Sequence, residues 1–312
     1  PPPLFFSPHT PENPILSGLV GSEMCIRDSS WIGGAWTPER ALALMDRFNI
    51  QTGILSVRNP RERVSSDLCR QVNESAAHLV QTHPTRFGAF AMVPQFDVDA
   101  AAEEAIYALD VLHLDGVLLN PSVDNRYLGA GEFEPLMSEL NQRDTVVLIH
   151  PTSPFYFSEL SLSYQSSVME YVFDTTRAIA NLITAGSIER NPNIRFITAH
   201  AGGAAPYIAS RLAEQAVRHD PKIRELAPQG VLHYMKTLYY GTGQATSPYA
   251  LAALLNLVDS RQVVFGTDLP ISPPSLITQS DGVLRSYRDL SQEDIQRIER
   301  DNALRLFPRL RG

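Results

Sequence analysis

Short, uninterrupted apolar runs alternate with amphipathic stretches along most of the chain. Residues 52–57, 87–93, 116–119, 145–149, 196–199, 237–240 and 262–265 form seven such runs, four to seven residues each. They are rich in Val, Ile, Leu and Phe and lack a polar second face, which is the pattern of strands buried on both sides. Helical periodicity is predicted between them over 38–48, 66–83, 99–112, 132–142, 168–185, 204–218 and 248–257, with a helical tail over 276–287, 292–300 and 302–307. Thr37-Pro38 opens the first of these as an N-cap followed by a proline in the first turn. A stretch around 221–230 reads as irregular.

Strands that nearly always lead into helices predict a parallel sheet covered on both faces, an α/β fold. Spacings of roughly thirty to fifty residues suit a (β/α)8 TIM-type barrel, which needs eight strands where seven are visible. The absent unit should precede helix 38–48, so the first strand is expected to be missing or replaced. A doubly wound open sheet is the alternative, but no GxGxxG follows any strand, and dinucleotide binding has no support.

Residues 1–30 break the pattern. The opening PPPLFFSPHTPENP holds six prolines in fourteen residues, which excludes a long helix or central strand. LVGSEMCIRDS resembles the translated read-through of a sequencing adaptor. Residues 1–30 are therefore expected to be a non-native or disordered leader, with one barrel domain over 31–312.

Composition narrows the partners. With 44% hydrophobic and 19% charged residues, a net charge of −8 and a pI near 5.5, the chain lacks the broad basic face that nucleic acid or an anionic membrane requires. Two cysteines, Cys25 and Cys69, give neither a disulfide framework nor a zinc spacing. No apolar run reaches the ~20 residues of a membrane span, and no basic segment leads into a signal-like stretch. A cytoplasmic location is expected.

Three polar residues stand where strands end: His150 after 145–149, His200 in RFITAHAGG after 196–199, and Asp268 after 262–265. In a parallel barrel all carboxyl ends open on one face, so these distant residues are expected to converge. Imidazole and carboxylate together suit zinc or a divalent cation of similar softness. Each also has a plain structural reading, the histidines as packed core residues and Asp268 as a turn cap. A buried pocket acid is expected to have a raised pKa. Arg58 follows a strand and could face the same pocket. The long loop 154–167 carries Phe155, Tyr156 and Phe157, suited either to lining a pocket for an aromatic ring or to packing against another subunit. His78, His83, His113, His219 and His233 show no ligand spacing and read as surface residues.

IHPTSP at 149–154, ITAHAGGAAPYIASR at 197–211, FGTDLP at 265–270 and DNALRLF at 301–307 resemble the amidohydrolase-related decarboxylases, the family of 2-amino-3-carboxymuconate-6-semialdehyde decarboxylase. TGILSV, NESAA, YLG and LFP are similar to its 6-methylsalicylate decarboxylase subgroup. The resemblance implies a barrel with one divalent metal ion, zinc ahead of manganese, that removes carbon dioxide from a small aromatic or ring-derived carboxylic acid. By it His150 is a metal ligand, Asp268 a ligand or proton carrier, and His200 the acid/base beside the metal. It also implies that Arg211 reaches into a neighbouring subunit to hold the substrate carboxylate, and hence a homodimer or larger homo-oligomer. Two alternatives keep the same site: hydrolysis of a lactone or amide, and a barrel impaired by lost ligands. The family's first strand carries a His-x-His pair, and this chain has none; His9 is the leader's one histidine.

Overall fold

A computed structural model describes residues 15–17, 36–60, 62–269 and 272–311. Eight strands form one sheet: β1 (Ile15–Ser17), β2 (Ile50–Ser56), β3 (Phe87–Ala91), β4 (Gly116–Leu119), β5 (Val146–Ile149), β6 (Arg195–Thr198), β7 (Tyr239–Gly241) and β8 (Val263–Val264). Every neighbouring pair is parallel, and the spatial order follows the chain order. All seven expected strands are present. The eighth position is filled by three residues of the leader, and the rest of 1–30, including His9 and Cys25, lies outside the described residues.

The continuous apolar runs follow from burial on both faces. Alternate side chains divide between two cores, as a period of two requires. Leu55, Ala89, Val117, Val147, Phe196 and Val263 pack outward against the helices. Ile54, Phe90, Leu118, Val146, Leu148, Ile197 and Val264 fill the interior of the curled sheet. There they meet Ala303, Leu304, Leu306, Phe307 and Leu310 of the C-terminal tail. Phe307 stands edge-on to Phe90 at 5.8 Å between ring centroids. The tail thus plugs one end of the interior and leaves the other end for chemistry.

Among the described residues no ladder joins β1 to β8. The turn Arg297–Asp301 packs against both strands instead. Phe265 N–H donates to the Ile298 carbonyl at 2.9 Å, and Asn302 Nδ2 donates to the carbonyls of Ser260 and Val263 at 2.8 and 2.7 Å. These bonds occupy backbone groups that a closing ladder would otherwise use.

Several helices begin as their sequences require. Thr37, Ser65 and Ser247 each accept from a backbone N–H three residues on, ahead of Pro38–Arg47, Ser66–Thr82 and Pro248–Leu257. Two expectations need correction. The helix after His200 runs Ala209–His219 rather than from 204, because left-handed backbone at 200–203 and Pro206 delay its start. Residues Val231–Thr237 are helical, so the strand expected from 237 starts at Tyr239.

Candidate active site

His150 follows the inward-facing Leu148 by two residues, and the alternation carries it onto the inner face just beyond β5. It is 8% exposed. Its Nδ1 lies 3.1 Å from the Pro151 carbonyl, a contact that requires the proton on Nδ1 and leaves Nε2 to face the cavity. Nε2 stands 3.5 Å from Asp268 Oδ1. The His200 ring lies 5.4 Å from that of His150, centroid to centroid. One ligand atom from each of His150, His200 and Asp268 falls within 4.8 Å of the other two. The structure therefore brings the three strand-end residues together.

The backbone at this cluster is unusual. His200, Ala201, Gln244 and Asp268 have φ values of 52, 54, 52 and 55°, left-handed geometry that costs a non-glycine residue roughly 1 kcal/mol or more. Such strain concentrated at one mouth is characteristic of functional positions. Gly203 is required by contact as well as by conformation: a Cβ there would sit 2.0 Å from the Val172 carbonyl. This close approach lets Thr176 Oγ1 accept from Ala204 N–H at 2.9 Å, which locks the His200 turn onto helix Ser166–Thr184.

The electrostatics separate the two groups resembling acid/base residues. Burial, assisted by neighbouring His150, pushes His200 down to about 4, so it is neutral near pH 7. Burial works to raise Asp268. The hydrogen bond and charge of His150, the charge of His200 and a hydrogen bond from Gln244 outweigh it and hold the carboxyl below its ordinary value. The expected raised-pKa acid is thus not Asp268, because the neighbouring imidazoles favour its ionised form. Gln244 Nε2 donates to Asp268 Oδ2, and Ser272 Oγ lies 3.5 Å from the same oxygen.

The donor set fits a divalent cation. His150 Nε2 and Asp268 Oδ1 stand 3.5 Å apart at the edge of the cavity, a pairing that a bound cation would bridge. The buried His200 Nδ1 has no hydrogen-bond partner. Two imidazoles and a carboxylate suit zinc and manganese. β1 adds nothing to the set, since Ile15, Leu16 and Ser17 carry neither imidazole nor carboxylate.

The cluster borders a cavity of about 350 Å³ lined also by Arg58, Tyr171, Val168, Val172, Gln244 and Ala250. Its size is that of a small-molecule site. Arg211 is exposed on helix Ala209–His219 and is not among the lining residues. Nor are the three aromatic loop residues, which are secured elsewhere. Phe155 stands edge-on to Phe96, Tyr156 donates to Glu170 at 2.9 Å, and Phe157 lies against Tyr164. His78, His113, His219 and His233 are exposed and His83 half-buried. Gln244 and Tyr171 were not singled out by the sequence. Gln244 had one available signal, its place three residues past the end of β7.

The amidohydrolase family profile matches residues 34–309. Decarboxylase yanB of Aspergillus niger is 35% identical over 300 residues, covering 90% of this chain and 81% of that protein. The 6-methylsalicylic acid decarboxylase of Penicillium expansum is 32% identical over 293 residues, covering 91% and 90%. Among solved structures, a dihydroxybenzoic acid decarboxylase from Polaromonas, with bound manganese and the inhibitor 2-nitroresorcinol, aligns with a TM-score of 0.83 at 21% identity. That alignment covers 96% of this chain and 98% of the other, a likeness of fold.

Proposed function

The chain belongs to the amidohydrolase family, and on that premise we propose that it is a metal-dependent carboxy-lyase acting on a small aromatic acid of the 2-hydroxybenzoate type. The observation that carries this reading is the convergence of His150, His200 and Asp268 within 4.8 Å on a cavity sized for one substituted ring. The fungal relatives support it, both being named decarboxylases and one being named for 6-methylsalicylic acid.

His150 and Asp268 would hold a divalent ion, zinc ahead of manganese by donor softness, with manganese supported by the Polaromonas structure. When bound, such an ion supplies Lewis-acid stabilisation of developing negative charge. Loss of the carboxyl group leaves its bonding electron pair on the ring carbon. That carbon takes one proton, and carbon dioxide departs. Asp268, once it has taken up a proton, would deliver it; His200, neutral near pH 7, would do so only after taking up a proton of its own. Val168, Val172 and Ala250 give the ring an apolar wall.

Arg211 is proposed to serve a second copy of the chain, its exposure fitting a residue presented across a homo-oligomeric interface. Among the described residues no helix is long and apolar enough to cross a membrane, and a cytoplasmic location remains part of the proposal.

The test is turnover of 6-methylsalicylate by chelator-stripped protein reloaded with zinc or with manganese. Release of carbon dioxide, with one deuterium incorporated at the vacated ring carbon in D2O, is the expected result. A ring-bearing acid returned intact by both metal forms would overturn the reading.

A further inference from the structure

We propose that Arg58, held in place by Tyr171, is the residue with which this chain anchors the substrate's anionic group in its own site. The proposal rests on the decarboxylase reading and goes beyond it, because it sets which ligands the cavity accepts. It is also separate from Arg211, which lies outside the cavity.

Position comes first. Ile54 faces the interior of the sheet, and the alternation through Ser56 carries Arg58 to the inner side just past β2. Among the described lining residues, Arg58 is the one lysine or arginine. The half-buried Arg58 shares the cavity with half-buried Val172 and Ala250, so an anion there meets the guanidinium at a dielectric below that of bulk water and gains more from it.

The side chain is preorganised. Arg58 Nη1 donates to the Tyr171 hydroxyl at 3.0 Å, and its guanidinium carbon lies 5.7 Å from the centre of that ring. Tyr171 belongs to helix Ser166–Thr184, the element that the Gly203 contact fixes against the His200 turn. The backbone beneath is fixed too. Asn120 Nδ2 donates to the Asn59 carbonyl at 3.3 Å. Asn120 is itself bound at both backbone groups by the Gln95 amide, at 3.0 and 2.8 Å. A cation held by two elements loses little entropy when a ligand arrives.

The chemistry assigns Arg58 to capture rather than to the chemical step. Negative charge leaves the carboxylate as carbon dioxide forms. A cation held on that group therefore stabilises the bound acid at least as much as the transition state, which is binding without acceleration. Arg58 is expected to favour the acid over the neutral phenol that decarboxylation leaves. Product release follows from the same contact.

The experiment is calorimetric titration of zinc-loaded wild type, R58Q and Y171F with 2-hydroxybenzoate and with 3-methylphenol, the neutral product expected from 6-methylsalicylate. R58Q should bind the acid about 10–100-fold more weakly while its affinity for the phenol holds. In steady state its KM should rise by more than its kcat falls. Y171F should weaken acid binding about 2–5-fold, through lost positioning. Should R58Q fail to fold, R58K keeps the charge without the planar fork and should lose about 3–10-fold. An unchanged acid affinity in R58Q, or equal losses for acid and phenol, overturns the anchor alone. Wild type that binds no aromatic acid overturns the anchor together with the decarboxylase reading.

Discussion

The two sides of the barrel mouth are built to different standards. On one, β5 and β6 pair over four successive residues without a register shift, from Val146 opposite Arg195 to Ile149 opposite Thr198. They deliver His150 and His200 to the same opening. On the other, β1 is three residues long and its pairing with β2 shifts between Ile15 and Ser17. It brings no imidazole or carboxylate. A sheet position demands only backbone donors and acceptors at the right spacing, which almost any short extended segment supplies. A metal ligand demands one particular side chain at one particular position. Among the described residues the sheet therefore has eight strands, while the cluster of His150, His200 and Asp268 gains no imidazole or carboxylate from β1.

The largest test of that contrast removes chemistry from the cluster to which the well-built side contributes His150 and His200. Asp268→Ala should lower decarboxylation by about 1,000-fold or more, since it deletes the residue proposed both as a ligand and as a proton carrier. A loss below about tenfold in carbon dioxide release would remove Asp268 from the site. The reciprocal test adds chemistry to the weak side. The double variant I15H/S17H adds two imidazoles to β1 and should bind zinc on the order of 100-fold more tightly. Unchanged affinity in a competition titration would show that β1 is not the ligand strand.

Gly203→Ala probes the rigid seat of His200. With a φ of 65° and a Cβ placed 2.0 Å from the Val172 carbonyl, the substitution should cost about 2–4 kcal/mol in chemical denaturation. A cost under about 0.5 kcal/mol, within the range of ordinary surface changes, would mean that the turn yields freely.

The smallest effect concerns the seam between β1 and β8. Glu299, in the turn that packs against both, is held above the ordinary carboxylate range by burial first and by hydrogen bonding with Asp281; its ion pair with Arg285 opposes the shift without cancelling it. A carboxyl raised in the folded state favours folding fully below its unfolded value near 4.5. That contribution is lost as pH climbs through the higher folded value. Melting temperatures should therefore decline as pH rises from about 4.5 to about 8, and Glu299→Gln should flatten the decline. An identical slope in the variant would remove Glu299 as its source.

Much of this was legible before any coordinates. The run of helix predicted over 66–83 is observed at Ser66–Thr82, because a regular apolar face and a serine cap are local properties. The trio His150, His200 and Asp268 was legible for a related reason: parallel strands must all end on one face. Arg58 was visible only as a residue after a strand, and Gln244 offered no more than that same signal. Their roles depend on which wall of a cavity they line, and no periodicity encodes that. The helix expected from 204 starts at Ala209 because a left-handed turn, fixed by the packing of Gly203 on Val172, intervenes.

By itself, then, the sequence determined the order and kind of the elements, the two-sided burial of the strands and the residues at their carboxyl ends. These follow from period, capping and composition over a few neighbouring residues. Tertiary structure decided what depends on groups distant along the chain. It turned Asp268 toward ionisation, since the imidazoles beside it come from residues 150 and 200. It sent the C-terminal tail into the sheet interior, because the inner face needed apolar volume that the strands alone do not supply. It also recruited three leader residues as β1, because an exposed parallel edge leaves a row of backbone groups to be satisfied.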